Sequence, residues 1–131
     1  MDATDLLERA RDATDSAYAP YSEYYVGAAL LTADGTVYTG ANVENANYSN
    51  SLHAEEVALG SAVRDGHTSF ERLAVSSAAR DGVTPCGMCR QSLAEFCEAG
   101  FEVVCEGEDG PVSHDLGRLL PETITREMVD G

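Results

Sequence analysis

The chain has no lysine. Its eight basic residues are all arginine, set against 23 acidic ones, for a net charge of −15 over 131 residues. A surface so poor in cations repels phosphate backbones, so nucleic acid is not an expected partner. Charge of one sign on this scale also costs stability through self-repulsion. At about 1 M salt the Debye length shrinks to about 3 Å and most of that penalty goes. The absent lysine therefore suits a salt-loving cytoplasm. A merely acidic protein, or one with a basic partner, is the plainer reading. Long apolar runs are missing too: no stretch approaches the roughly 20 residues of a membrane-spanning helix. The opening residues, Met1-Asp2-Ala3-Thr4-Asp5, lack the basic region and apolar core of a secretory leader. No membrane partner and a cytoplasmic location are expected. There is no repeat, linker or low-complexity segment. With 44% hydrophobic residues, residues 1–131 are expected to form a single domain around a real core.

Cysteine is scarce, at four residues. In a cytoplasmic setting they should be reduced or metal-bound, not paired as disulfides. Cys97 and Cys105 fall on apolar patterns and read as small core residues. Cys86 and Cys89 read differently. His53-Ala54-Glu55 is followed 33 positions later, counting from His53 to Cys86, by Pro85-Cys86-Gly87-Met88-Cys89. One imidazole and two thiolates are the right kind and number of ligands for a catalytic zinc, one Zn2+ per subunit. A structural zinc site closes its shell with a fourth protein ligand, whereas a catalytic one leaves that place to water. Glu55, two residues from the imidazole, is better placed as a proton shuttle than as a ligand. Plainer readings remain: a redox Cys-x-x-Cys, an ordinary buried histidine, or a structural zinc completed by Cys97 or Cys105.

Both ligand groups should sit at helix N-termini. Glu55 to Gly66 reads as a helix with Val57, Ala58, Ala62 and Val63 on its apolar side. Cys86 to Ala99 reads as another, with Cys89, Leu93, Phe96 and Cys97 at helical spacing and Gly100 as its stop. Two helix dipoles would then favour thiolate at the cysteines. Elsewhere, Thr4 to Ala19 reads as an amphipathic helix stopped by Pro20, with Leu6, Leu7, Ala10, Ala13 and Ala17 inward. Tyr25 to Ala33 and Thr36 to Ala41 form a hairpin across Asp34-Gly35. Asn42 to Leu52 is a polar loop. Arg72 to Ser77 and Phe101 to Glu106 are strands, with a loop before the second zinc helix. Gly107 to Gly110 turns into a short strand near Pro111 to Ser113, followed by a helical tail. The alternation predicts a three-layer α/β/α domain on a mixed five-stranded sheet, antiparallel in the hairpin and parallel and right-handed in the strand–helix–strand unit.

The H-x-E…P-C-x-x-C signature is a known one, that of the zinc-dependent nucleobase deaminases. More of the chain resembles one family within them. Tyr18-Ala-Pro-Tyr-Ser22, Val26-Gly-Ala-Ala29, Asn42-Val-Glu-Asn-Ala46, Tyr48-Ser49, Pro85-Cys-Gly-Met-Cys-Arg-Gln91 and Leu119-Leu-Pro121 are similar in order and spacing to short, homotetrameric cytidine deaminases. The resemblance implies deamination of cytidine and 2′-deoxycytidine in pyrimidine salvage, with His53, Cys86 and Cys89 on zinc and Glu55 moving protons. It implies a free nucleoside as the small-molecule partner, through Asn42-x-Glu44 and Arg90-Gln91. Asn42 and Glu44 would bind the 3′-hydroxyl region, Tyr24 would lie against the pyrimidine or sugar, the Ala54 backbone would meet the base O2, and the Thr84 carbonyl would take the 4-amino group. Ala46 and Tyr48 would enter a neighbouring subunit's pocket, and a homotetramer is implied. A modified cytosine nucleoside, such as blasticidin, or a zinc-stabilised protein without turnover are the alternatives. The chain departs from the family where Cys is common at His53, Arg at Glu56, and a pocket-closing Phe at Ile124. A neutral imidazole beside two thiolates needs no compensating arginine, so Glu56 is either freed for other use or a plain first-turn helix acid.

Overall fold

The computed structural model describes residues 1–77 and 84–130. Five strands form one sheet in the order β2-β1-β3-β4-β5, namely β1 Val26–Thr32, β2 Val37–Ala41, β3 Phe70–Ser77, β4 Glu102–Gly107 and β5 Gly110–Asp115. Only β3 and β4 run parallel; the other three pairings are antiparallel. The sheet is therefore mixed, with its parallel pair next to the hairpin.

Strand alternation sorts the core into two layers, because successive side chains leave a strand on opposite faces. Ala29, Leu31, Ala74 and Val104 pack with Leu6, Leu7 and Ala10 of helix α1 (Ala3–Ala13). Ala28, Leu30, Leu73, Val75, Val103 and Cys105 pack on the other side. There they meet Ala54, Ala58, Leu59 and Ala62 of α2 (Ala54–Arg64) and Leu93 of α3 (Gly87–Ala94). The result is the expected α/β/α stack, with Cys105 buried in it and Cys97 half-buried at its edge. Burial pushes the Cys105 thiol up to about 11 and the Cys97 thiol up to about 12, as core placement requires.

Several boundaries differ from expectation. The first helix starts at Ala3, where the Asp2 carboxylate accepts from the Asp5 N–H at 2.8 Å, and it ends at Ala13 instead of Ala19. Beyond a 3₁₀ turn at Thr14–Ser16, the chain is drawn into a bridge. The Tyr18 N–H donates to the Asn42 carbonyl at 2.9 Å, and the Glu44 N–H donates to the Tyr18 carbonyl at 2.8 Å. Helix α3 stops at Ala94, five residues early. The chain beyond it is tied instead to α4 (Leu116–Leu119): the Gly117 N–H donates to the Ala99 carbonyl at 2.8 Å, and the Leu116 N–H to the Phe101 carbonyl at 2.9 Å. On α2 the apolar face turns toward Leu59, leaving Val63 36% exposed. Its end is as read, with Gly66 at φ +95° just past the last turn. The tail holds α4 and α5 (Arg126–Asp130). The loop expected after Ser77 falls on residues 78–83, outside the described residues.

Candidate active site and metal centre

His53 and Cys86 occupy equivalent places. Each is the residue immediately before a helix, in extended conformation, His53 ahead of α2 and Cys86 ahead of α3. Pro85 precedes the cap and is buried. Cys89 lies one turn into α3 and is buried, while Cys86 is exposed. This staging brings residues 33 and 36 positions apart into contact. The His53 Nδ1 lies 3.1 Å from the Cys86 Sγ and 3.3 Å from the Cys89 Sγ. All three ligand atoms fall within 4.8 Å of one another. Tetrahedral zinc, with bonds of about 2.0–2.3 Å, would hold a nitrogen and a sulfur about 3.5 Å apart, so the donor set fits that ion in kind and spacing.

Glu55 is 6% exposed, on the first turn of α2, and close enough to the Cys89 thiol for a hydrogen bond. Burial raises its carboxyl above the ordinary carboxylate range, opposed by its own backbone N–H and by His53. Such a group holds and releases a proton nearer neutrality than a solvated glutamate. The dipole argument for thiolate is outweighed at Cys89. Burial, and then the negative neighbours Glu55 and Cys86, push its thiol well above the usual value. A bound cation reverses that balance, since its charge dominates so small a site. Glu56 proves to be a first-turn helix acid: its Oε1 accepts from the His53 N–H at 2.6 Å, fixing the backbone that carries the ligand.

A cavity of about 260 Å³ opens onto this group. Tyr24, Asn42, Glu44, Ala54 and Thr84 all line it, alongside His53, Glu55 and Cys86. Val26, Ser51 and Leu52 complete the wall. None of those three was named as a site residue from the sequence, although Val26 heads one of the family-like motifs and Ser51 and Leu52 directly precede His53. Ala46 and Tyr48 lie outside the cavity. Tyr48 is 73% exposed, edge-on to Tyr21 at 6.2 Å, on a stretch where residues 45–50 all face solvent. Ile124 is also away from the cavity and is 66% exposed, its carbonyl taking a hydrogen bond from Gln91 Nε2 at 2.9 Å.

Asn42 and Glu44 turn out to have structural work as well. Asn42 Oδ1 accepts from the Val26 N–H at 2.9 Å, and Nδ2 donates to the Tyr24 carbonyl at 2.8 Å. Glu44 Oε1 accepts from the N–H groups of Tyr21 and Ser22 at 3.0 and 3.1 Å, and Oε2 takes the Ser22 hydroxyl. That hydroxyl, ahead of the backbone donors, holds the Glu44 carboxyl below the ordinary range. The pair thus moors residues 21–26, where Glu23 sits at φ +56°, a conformation non-glycine residues rarely adopt. A carboxylate offers about four acceptor sites and an amide one further donor and acceptor, so each keeps capacity toward the cavity.

Comparison with known proteins agrees with this geometry. Residues 1–105 match the family model for the cytidine and deoxycytidylate deaminase zinc-binding region. The chain belongs to that family. It is 42% identical over 128 residues to a cytidine deaminase of Sporosarcina psychrophila, covering 97% of this chain and 94% of the relative. A cytidine deaminase of Halalkalibacterium halodurans is 41% identical over 128 residues, covering 97% of each chain. The crystal structure of cytidine deaminase from Burkholderia pseudomallei superposes with a TM-score of 0.88 at 40% identity, over 95% of this chain and all of that one. The family is a zinc-binding one, and His53, Cys86 and Cys89 are the residues here that could hold the ion.

Proposed function

We propose that the chain catalyses hydrolytic deamination of cytidine and 2′-deoxycytidine to uridine and 2′-deoxyuridine, with release of ammonia, as a step of pyrimidine salvage. The observation that carries the reading is the convergence of His53, Cys86 and Cys89 on one point, with buried Glu55 beside them at the floor of a nucleoside-sized cavity. Zinc bound there would act as a Lewis acid and lower the pKa of water toward about 7. Glu55 would take a proton from the attacking water and give it to N3 of the base, which makes C4 electrophilic. After oxygen adds at C4, Glu55 carries a proton to the departing amine. Water supplies the oxygen of the uracil, the N3 hydrogen and one hydrogen of ammonia, the other two coming from the 4-amino group, so no further cofactor is needed.

The family spans nucleoside and nucleotide deaminases. A free nucleoside is favoured because the cavity wall carries Glu44 and Glu55 and, among its described residues, no lysine or arginine. A 5′-phosphate would meet carboxylates and no cation. Glu44 and Asn42 bind the 3′-hydroxyl region through their remaining hydrogen-bonding capacity. The Ala54 backbone meets O2, the Thr84 carbonyl takes the 4-amino group, and Tyr24 packs against the ring or sugar. Exposed Ala46 and Tyr48 reach a neighbouring subunit in a homotetramer. A cytoplasmic, salt-rich setting accounts for the net charge of −15.

Incubation of the zinc-loaded protein with cytidine at high KCl, followed by the ultraviolet change to uridine, tests the reading. Turnover of cytidine and none of its 5′-monophosphate is expected. Full zinc content without turnover of any cytosine nucleoside would leave a zinc-stabilised protein instead. The same titration reads the salt requirement, with activity and melting temperature rising past about 0.5 M KCl as screening relieves self-repulsion.

A further inference from the structure

The only charged side chain donating to the chain segment just before Cys86, among the described residues, is Arg90 on α3. It is half-buried and spends its guanidinium on three acceptors from two places in the chain. Nε donates to the Pro85 carbonyl at 2.6 Å, Nη2 to the Thr84 hydroxyl at 2.9 Å, and Nη1 to the Leu119 carbonyl at 2.6 Å. Its backbone N–H donates to the Cys86 carbonyl at 2.9 Å. One residue therefore grips a ligand through its main chain and, through its side chain, the two residues that lead into that ligand. The third bond ties the same segment to the end of α4. Thr84 is also a wall of the cavity. A planar guanidinium with fixed donors can hold three separated acceptors at once. A lysine ammonium is a compact charge on a flexible stem and cannot reproduce that fork.

We propose that Arg90 is a positioning residue of this site, its guanidinium setting both the Cys86 ligand and the Thr84 wall of the cavity against Glu55. This rests on the zinc-dependent reading above. Among the described residues, buried Pro85 fixes the segment by packing, and the hydrogen bonds of the Arg90 guanidinium fix the direction of the exposed Cys86 end. Residues that orient a metal ligand from behind typically carry about 10–100-fold in metal affinity when replaced.

The test compares Arg90→Lys with wild type. Zinc affinity is measured by competition with a chromophoric chelator at a temperature where both are folded, and KM for cytidine is measured at saturating zinc. Zinc affinity is expected to fall about 10–100-fold, and KM to rise because the Thr84 wall has shifted. Were Arg90 only a stabilising contact, melting temperature would fall while zinc affinity and KM stayed within about twofold of wild type, and that result overturns the proposal. Should Arg90→Lys not fold, Thr84→Val and Thr84→Ser replace it. Loss of the hydroxyl should weaken zinc binding and Thr84→Ser should restore it; equal zinc affinity in both overturns the proposal. A wild-type protein that binds zinc and leaves cytidine unchanged would overturn the deaminase reading instead, and the zinc comparison would still report on Arg90.

Discussion

The two faces of the sheet are built from the same strands and do different work. On one face, α1 packs Leu6, Leu7 and Ala10 onto Ala29, Leu31, Ala74 and Val104. Ion pairs ring that side: Arg11 with Glu106, and Arg72 with Glu102 at 2.6 Å. Among the described residues, these groups are held by the core or by one another. On the other face, α2 begins with His53 and buried Glu55, and α3 begins with Cys86 and Cys89. A buried carboxylate among thiols is costly for folding alone, which marks it as a candidate for function. Two glycines on neighbouring strands express the same division. A Cβ on Gly27 would lie 2.0 Å from the Ala10 carbonyl oxygen of α1, and one on Gly40 would lie 2.3 Å from the Ala54 carbonyl oxygen and 2.6 Å from the Ala58 nitrogen of α2. Each lets one helix approach the sheet, but only the second sets the depth of the site.

The contrast predicts separable damage. The largest effect is expected from Glu55→Gln, which keeps shape and removes the proposed proton carrier. Turnover should drop at least about 10²–10⁴-fold with zinc content and melting temperature near wild type, as steady-state kinetics beside metal analysis would read. A variant within tenfold of wild type would place the chemistry elsewhere. Leu6→Ala, on the other face, should cost about 2–5 kcal/mol of stability in denaturant titration. Its kcat/KM, measured well below its melting temperature, should be unchanged, and a loss of activity there would join the two faces. The glycines sharpen this further. Gly27→Ala and Gly40→Ala should each cost about 1–3 kcal/mol or more through overpacking. Only Gly40→Ala should also lower kcat/KM, by up to about 10²-fold, because it moves the start of α2. Equal kinetics in the two would show that α2 does not transmit its position to the site.

The smallest effect concerns acid. The Ser113 hydroxyl, and then Arg72, hold the Glu102 carboxyl below its ordinary range. A carboxylate with a depressed folded pKa binds fewer protons folded than unfolded. Its contribution is therefore full above the unfolded value of about 4.3 and disappears as pH falls through the lowered one. With both side chains partly solvated, that is no more than about 1 kcal/mol. Wild type minus Glu102→Gln should show this stability difference at neutral pH and lose it in the acid limb of a melting series. A difference that persists at low pH would assign it to packing.

What was legible in the residues follows from locality. Strands β1, β3 and β4 were legible as short runs with strand character, while which face each side chain takes was settled in the fold. The candidate ligands were legible because His-x-Glu and Cys-x-x-Cys place donor groups within single helical turns, in the kind and number that a catalytic zinc takes. Helix ends were less so. Nothing local announces that Tyr18 will bridge to residues 42–44, or that Ala99 will be claimed by Gly117, and these distant bonds decided where α1 and α3 stop. Cys89 illustrates the same limit. The helix dipole is a local property and could be argued from sequence, but burial beside Glu55, which works against it in the metal-free site, is tertiary. The second task of Asn42 and Glu44, and the three-way grip of Arg90, were likewise set only in the fold. A polar side chain's type states what it can bond, and only the packed chain decides which partners, dozens of residues away in sequence, come within reach.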